Sequence, residues 1–493
     1  MSKVYIIGTG PGDEELLTVK ALKCLKKCTA VLYDRLVSNN ILNYLNDDCK
    51  VYYCGKEPGS HYKTQEEINK MLVKLAKEGH IVGRVKGGDP YVFGRGGEEV
   101  IALKHENIDF EVIPGITSPI AALNYAGIPI THRGIAQSFH IVTGMSAKNL
   151  NVNFKALAME EGTLVFMMGL KNLEKIVSEL VKNGKDSNTP CGVVMRGTCS
   201  KQKKVIGRLS DISEKVRKSG LKSPCIIVVG EVVNLHEALT WYENKPLFGT
   251  NICVTRSQKQ GVNLRNKLRD MGAEVTSISA IEIKPSPENL DEYMDKLGDY
   301  DHILFTSVNS VNIFFDYLIK KRYDIRKIRA KISAIGKATW QSLEARGIMC
   351  FEKAREFIGA GLVDVLKPHI NKKDKILIPC SSIAKEEISE GLKETGAKVE
   401  RVFIYDTVKG LLRNKKAFDE VDVVFFTSPS TVYNMIDMVG LEAVKEKHII
   451  AIGQKTNKPL KDFGISADVC IEHSEDGFLR EVVELINRKK ESK

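Results

Sequence analysis

Long apolar stretches are missing from this chain of 493 residues. No run approaches the ~20 consecutive apolar residues that a bilayer-crossing helix needs, and the N-terminus enters Val4-Tyr5-Ile6-Ile7 without a secretory leader pattern. Both absences point to a cytoplasmic protein with no membrane partner. Paired cysteine motifs are missing too: the 11 cysteines include no C-x-x-C and no histidine-rich companion. Buried thiols in a reducing compartment are expected, and no metal. Blocks of like charge are also lacking. The net charge of +11 comes from basic residues scattered among Glu and Asp, with no aromatic-basic stripe, so no nucleic-acid partner is expected. A polyanionic small substrate accounts for the charge equally well.

One further absence lies in the stretch Val4 to Thr18. A strand run ends in glycines and an amphipathic helix pattern follows, as in a dinucleotide-binding unit, but Asp13 stands where the third glycine of G-x-G-x-x-G belongs. Pro11 removes a backbone N–H from the middle of the turn, so a pyrophosphate is a poor fit. Asp34 lies where a nicotinamide-binding fold places its ribose acid, and Arg35 beside it weakens that reading.

What is present is an alternation of short β-branched runs and helical periodicities: Ala30 to Tyr33, then Ile68, Met71, Leu72 and Leu75, then Ile81-Val82, then Phe110 to Ile113. This predicts an α/β protein of mostly parallel strands, in three or four domains at roughly 150 residues each. Periodicity lapses around Trp241, between His236 and Thr250, which reads as a linker. Beyond it the chain repeats itself at an offset of about 120 residues. Asp301 to Val311 parallels Asp422 to Val432, and Ala334 to Thr339 parallels Ala451 to Thr456. Two related lobes follow, each with hydroxyl-rich loops at strand ends. Such loops offer N–H groups to anions, or they are ordinary helix caps.

The stretch Lys86 to Glu99 places five glycines among fourteen residues directly after an expected strand, with Asp89-Pro90 and Val92-Phe93 fixed between them. Taken with GTGPGD, LYDRLVS, GKEPGSH, VKGGDPYVFGRGGEE, VIPGITSPIAALNYAGIPITHRG and VFMMGL, it resembles uroporphyrinogen-III C-methyltransferases of the tetrapyrrole methylase superfamily over roughly residues 3–235. The resemblance implies a two-domain methylase fold that binds S-adenosylmethionine through Pro11, Gly87, Gly88, Asp89, Val92, Thr117, Ser118, Met168 and Gly197. It implies transfer of two methyl groups to uroporphyrinogen III, giving precorrin-2, with Asp34 as proton acceptor and Lys56 as proton donor. Arg35, His132 and Arg133 would hold substrate carboxylates. Thr9, where the family usually has alanine, and Gln137, where it has a small residue, are mild departures. No dehydrogenase/ferrochelatase module precedes Met1, so precorrin-2 is expected to be released.

From about Gly249 the chain resembles uroporphyrinogen-III synthases, through Ile252 to Ser257, Leu304 to Ser310, Ala334 to Thr339, Val402 to Thr407 and Phe426 to Ser430. That family closes hydroxymethylbilane to uroporphyrinogen III with inversion of ring D, using no cofactor, in a cleft between two lobes. The implied site holds Tyr405 as the assisting acid, with Arg256, Thr306, Ser307, Thr339, Thr427, Ser428, Ser430 and Thr456 binding substrate. The expected divisions are methylase domains at 1–115 and 116–238, a linker at 239–249, synthase lobe 1 at 250–282 and 408–493, and lobe 2 at 283–407. A homodimer through the methylase half is also expected. The rival readings are a later corrinoid methylase, an RNA methyltransferase of the same superfamily, and a C-terminal module that sequesters tetrapyrrole without catalysis.

Overall fold

The computed structural model describes residues 2–55, 63–145, 152–257, 260–354 and 359–491. The chain divides into two compact units, one of residues 1–278 with 412–493 and one of residues 279–411.

The first unit opens with a parallel five-stranded sheet in the spatial order Lys50–Tyr53, Ala30–Tyr33, Ile81–Lys86, Lys3–Gly8, Phe110–Ile113. Its central strands are buried because helices cover both faces, and they read as apolar runs apart from Arg84 and Lys86. Helix Gln65–Lys77 shows how they do so. Thr64 accepts from Glu67 N–H while the Glu67 carboxylate takes the Thr64 N–H, and Ile68, Leu72 and Leu75 are buried one turn apart. Truncating Leu72 to alanine there removes about 2–5 kcal/mol of stability.

The second sheet, Phe139–Thr143, Thr163–Met167, Cys225–Val229, Pro190–Met195, Lys203–Arg208 in spatial order, departs from the expected parallel arrangement. One pair is parallel and the other three are antiparallel: Pro190–Met195 turns directly back into Lys203–Arg208, and helix Ile212–Ser219 then leads to Cys225–Val229, which lies antiparallel between Pro190–Met195 and Thr163–Met167. The third sheet, also in this unit, is wholly parallel: Glu274–Ser277, Asn251–Val254, Val423–Phe426, His448–Ala451, Asp468–Val469. The segment before it is tied down at both ends. Trp241 and Tyr242 pack on Tyr125 with ring centroids 4.9 and 4.7 Å away, and Leu247 lies in the core of the third sheet.

The second unit carries one sheet in the order Ile281–Pro285, Lys398–Lys409, Lys375–Ser381, His302–Phe305, Lys331–Ile335, Lys353–Ala354. Only Ile281–Pro285 runs antiparallel to its neighbour. The internal repeat is structural. Strand His302–Phe305 leads through Thr306 into helix Val308–Lys320, and strand Val423–Phe426 leads through Thr427 into helix Pro429–Val439. Among the described residues no helix is long and apolar enough to cross a membrane, and no cluster of His, Cys, Asp and Glu could hold a metal ion.

Candidate active sites

The glycine-rich turns of the first sheet converge at the carboxyl ends of its strands, where open parallel sheets place ligands. Gly10 and Gly88 exchange backbone hydrogen bonds, with Gly88 N–H to Gly10 carbonyl at 2.6 Å and the reverse at 3.2 Å. The approach is so close that a Cβ on Gly115 would lie 2.2 Å from the Gly88 carbonyl oxygen, and one on Gly8 would lie 2.6 Å from Gly115 N. Glycine is therefore required at both positions by backbone contact. The junction gathers Pro11, Gly87, Gly88, Asp89, Thr117 and Ser118. Val92 follows in the same loop, its N–H donating to the Asp89 carbonyl at 3.3 Å.

Gly197 joins this group from the second sheet. Asp13 N–H donates to Thr198 Oγ1 at 3.2 Å, and Gly197 itself rests on Ala122 of helix Ser118–Tyr125. Met168 directly follows strand Thr163–Met167 and is 41% exposed. Left-handed backbone at non-glycine residues concentrates along these same loops: Phe93 (φ 54°), Arg95 (φ 60°), Met168 (φ 57°), Arg196 (φ 46°) and Thr198 (φ 74°). Each such residue costs of order 1–3 kcal/mol, and they cluster where a ligand site over-determines the backbone.

The carboxylates of the junction also shape it. Asp89 accepts Tyr91 N–H at 2.8 Å and Gly115 N–H at 3.1 Å. Asp13 accepts Glu15 N–H at 3.0 Å and Tyr125 O–H at 2.9 Å. Among the described residues Asp89 is in no ion pair, whereas the charge of Asp13 acts on the Arg269 guanidinium. Carboxylate acceptors beside the turn suit a cationic ligand and disfavour a phosphate.

Asp34 sits just past strand Ala30–Tyr33, with Leu36 N–H donating to one oxygen at 3.1 Å. Its cationic partner is Arg84, at 3.4 Å, while Arg35 is exposed. Arg84 belongs to a buried network that sequence reasoning missed. Its Nε donates to Glu99 at 2.8 Å, and Lys86 Nζ donates to the same Glu99 oxygen at 3.1 Å. The Glu99 side chain is wholly buried, and burial with the charge of Arg84 alongside pulls the Lys86 ammonium below the usual lysine range. The signal was present in Ile81-Val-Gly-Arg-Val-Lys86, since two cations in a central apolar strand require a buried counter-ion. His132 and Arg133 are exposed, and His132 Nδ1 lies 2.9 Å from the Arg133 carbonyl. Lys56 lies outside the described residues.

In the C-terminal half the hydroxyl loops are helix caps first. Ser307 Oγ accepts from Ser310 N–H at 3.1 Å, and Ser428 forms a reciprocal cap with Thr431 while its hydroxyl meets Ser430 at 2.9 Å. Thr306 and Thr427 are half-buried at the strand ends, whereas Thr339 and Thr456 are buried within helices. Arg256 donates to Glu475 at 2.6 Å, so its guanidinium already has a carboxylate partner. Tyr405 is buried and shares a 2.9 Å hydrogen bond with Ser307 Oγ, which brings these two expected site residues together. Burial pushes its phenol above the ordinary tyrosine value, so at neutral pH it is a proton donor.

The family model for Tetrapyrrole (Corrin/Porphyrin) Methylases matches residues 3–213, and that for Uroporphyrinogen-III synthase HemD matches residues 262–479. The porphyrin biosynthesis protein HemD of Ruminiclostridium josui is 35% identical over 98% of each chain. A uroporphyrinogen-III C-methyltransferase of Bacillus subtilis (strain 168) is 42% identical over 70% of this chain and 72% of its own length. A solved uroporphyrin-III C-methyltransferase of Thermus thermophilus, complexed with S-adenosylhomocysteine, is 39% identical with a TM-score of 0.41, over 47% of this chain and 99% of that one. The chain belongs to the porphyrin biosynthesis family that joins an S-adenosylmethionine-dependent tetrapyrrole methylase to a uroporphyrinogen-III synthase.

Proposed function

We propose that the chain closes hydroxymethylbilane to uroporphyrinogen III with inversion of ring D, then methylates that product twice to give precorrin-2. The observation that carries the reading is the meeting of the Gly10-Pro11, Gly87-Gly88-Asp89 and Thr117-Ser118 turns at the strand ends of the sheet that also presents Asp34. S-adenosylmethionine supplies an electrophilic methyl group. Pro11, Gly87, Gly88, Asp89, Val92, Thr117, Ser118, Met168 and Gly197 hold it. Asp34, oriented by Arg84 and Leu36 N–H, accepts the proton that leaves the pyrrole as its new carbon–carbon bond forms. Lys56 returns a proton, and Arg35, His132 and Arg133 grip substrate carboxylates. Positioning of the two reactants provides most of the acceleration.

In the synthase half the Tyr405 phenol protonates the departing hydroxyl of hydroxymethylbilane, so that water leaves. Thr306, Ser307, Thr427, Ser428 and Ser430 supply neutral donors to the propionate and acetate groups, and Arg256, Thr339 and Thr456 also bind substrate. The chain works in the cytoplasm, as a homodimer through its methylase half. The capping bonds of Ser307 and Ser428 favour a second reading, in which this half binds tetrapyrrole without catalysing its closure. Isomer analysis of the product from hydroxymethylbilane, without S-adenosylmethionine, separates the two. Spontaneous closure yields the type I isomer, so type III product supports a synthase, and type I alone supports the binding module.

A further inference from the structure

Two methylase turns that carry cofactor residues are fastened to the third sheet, which belongs to the synthase half. Beyond Pro11, Glu14 pairs with Arg269 at the end of helix Val262–Asp270, both side chains being largely buried. Around Gly197, Arg196 makes a two-pronged bond to Glu420 at 2.7 and 2.6 Å. Ser200 donates to one Glu274 oxygen from its N–H at 2.9 Å and its hydroxyl at 2.6 Å, and Lys201 donates to Asp422 at 3.1 Å. Near Asp34, Asn40 Nδ2 donates to the Val275 carbonyl at 2.5 Å and its Oδ1 accepts Ser277 N–H at 3.2 Å. Asn43 donates to the Ser277 carbonyl at 3.0 Å. Asparagine side chains thus close the edge strand Glu274–Ser277, whose backbone groups would otherwise need water or another strand.

These bonds do more than join two halves. A bidentate arginine–carboxylate pair and a doubly donated glutamate are geometrically demanding, and they grip a segment whose Arg196 and Thr198 occupy left-handed backbone on either side of Gly197. Strained backbone of this kind persists only where its surroundings impose it. The charges are complementary across the seam, with Arg196 and Lys201 facing Glu420, Glu274 and Asp422. The two turns also hold each other, since Asp13 N–H donates to Thr198 Oγ1 and a Cβ on Gly12 would lie 2.4 Å from Cys199 Sγ.

We propose that the third sheet is a working part of the methylase: it holds the Pro11 and Gly197 turns in their cofactor-binding form, so that cofactor occupancy and the order of this synthase sheet are coupled. The proposal rests on the assignment of Pro11 and Gly197 to the cofactor site. Coupling of this kind is reciprocal, so the cofactor must stabilise the sheet by the factor with which the sheet improves cofactor affinity.

The test uses the full chain and S-adenosylhomocysteine as probe. Calorimetry on the Arg269→Met, Glu420→Gln double variant is expected to show Kd raised roughly five- to tenfold, within the usual range of coupling between sites. Hydrogen exchange of the Asn251–Val254 and Glu274–Ser277 amides is expected to slow on ligand addition in the parent chain and to respond less in the variant. Exchanging the charges as Arg196→Glu with Glu420→Arg is expected to bind more tightly than Arg196→Glu alone, which separates coupling from misfolding. Met168→Glu, at an exposed position that makes none of the seam bonds named above, reports on the site assignment itself. Parent affinity in Met168→Glu overturns that assignment and the coupling with it. Lost affinity there, with parent affinity in the seam variant or no exchange response, overturns the coupling alone.

Discussion

The two halves build their sites from different materials. The methylase turns are shaped by backbone: Gly8 and Gly115 lie so close to neighbouring backbone that no side chain fits there, Gly10 and Gly88 take left-handed backbone, and two carboxylates, Asp13 and Asp89, accept hydrogen bonds that hold the turns in shape. The synthase loops are shaped by side chains, with hydroxyls that cap helices and one buried tyrosine joined to Ser307. A backbone-built site leaves its mark in glycine spacing and tolerates almost no substitution. A cap-built site looks in sequence like any helix start, and each of its hydroxyls matters little.

The contrast can be broken most severely at Asp34, the side chain of the methylase site proposed as proton acceptor. Asp34→Ala is expected to slow methyl transfer by about 10²- to 10⁴-fold while S-adenosylhomocysteine affinity stays near the parent value. Single-turnover kinetics beside calorimetry decide this, and lost affinity with intact chemistry would contradict it. Gly88→Val sharpens the comparison from the backbone side. A branched side chain at φ 69°, facing Ser118 Oγ at 3.4 Å, should abolish cofactor binding while hydroxymethylbilane is still cyclised. Loss of both activities in a folded protein would show that the halves are not separable in this way.

Smaller effects are expected in the synthase half. Tyr405→Phe removes one hydroxyl without changing packing, and turnover should fall roughly tenfold with little change in substrate affinity, because positioning carries most of the catalysis. Unchanged turnover with a raised KM would make Tyr405 a binding residue. Ser428→Ala should act mainly on stability, lowering it by about 1 kcal/mol through the lost cap, with binding only slightly weakened. Thermal melting and a substrate titration on one preparation distinguish these two effects.

The same division explains what could be read before the structure. The glycine turns and the repeated strand-loop-helix units are legible because spacing alone encodes them, whereas the role given to Asp34 comes from the family resemblance. The pairing of Asp34 with Arg84 is not legible, because Arg84 is fifty positions away and only the parallel register of Ala30–Tyr33 with Ile81–Lys86 sets them side by side. The antiparallel part of the second sheet was also hidden, since buried strands read as the same apolar runs in either direction. Capping of helices by Ser307 and Ser428 was weighed as the ordinary alternative to anion binding, and both caps are formed. The seam of Arg196, Ser200 and Lys201 with the third sheet joins residues more than seventy positions apart, a separation at which no local pattern carries information.

Succession of the two activities on one chain is the central claim, and a single incubation tests it most directly. Purified protein is supplied with hydroxymethylbilane and methyl-labelled S-adenosylmethionine, and the tetrapyrrole products are resolved by isomer type and label content. The account predicts a type III-derived product carrying two labelled methyl groups, with two S-adenosylhomocysteine released for each. Type I product alone, or type III product that never acquires label, would contradict it.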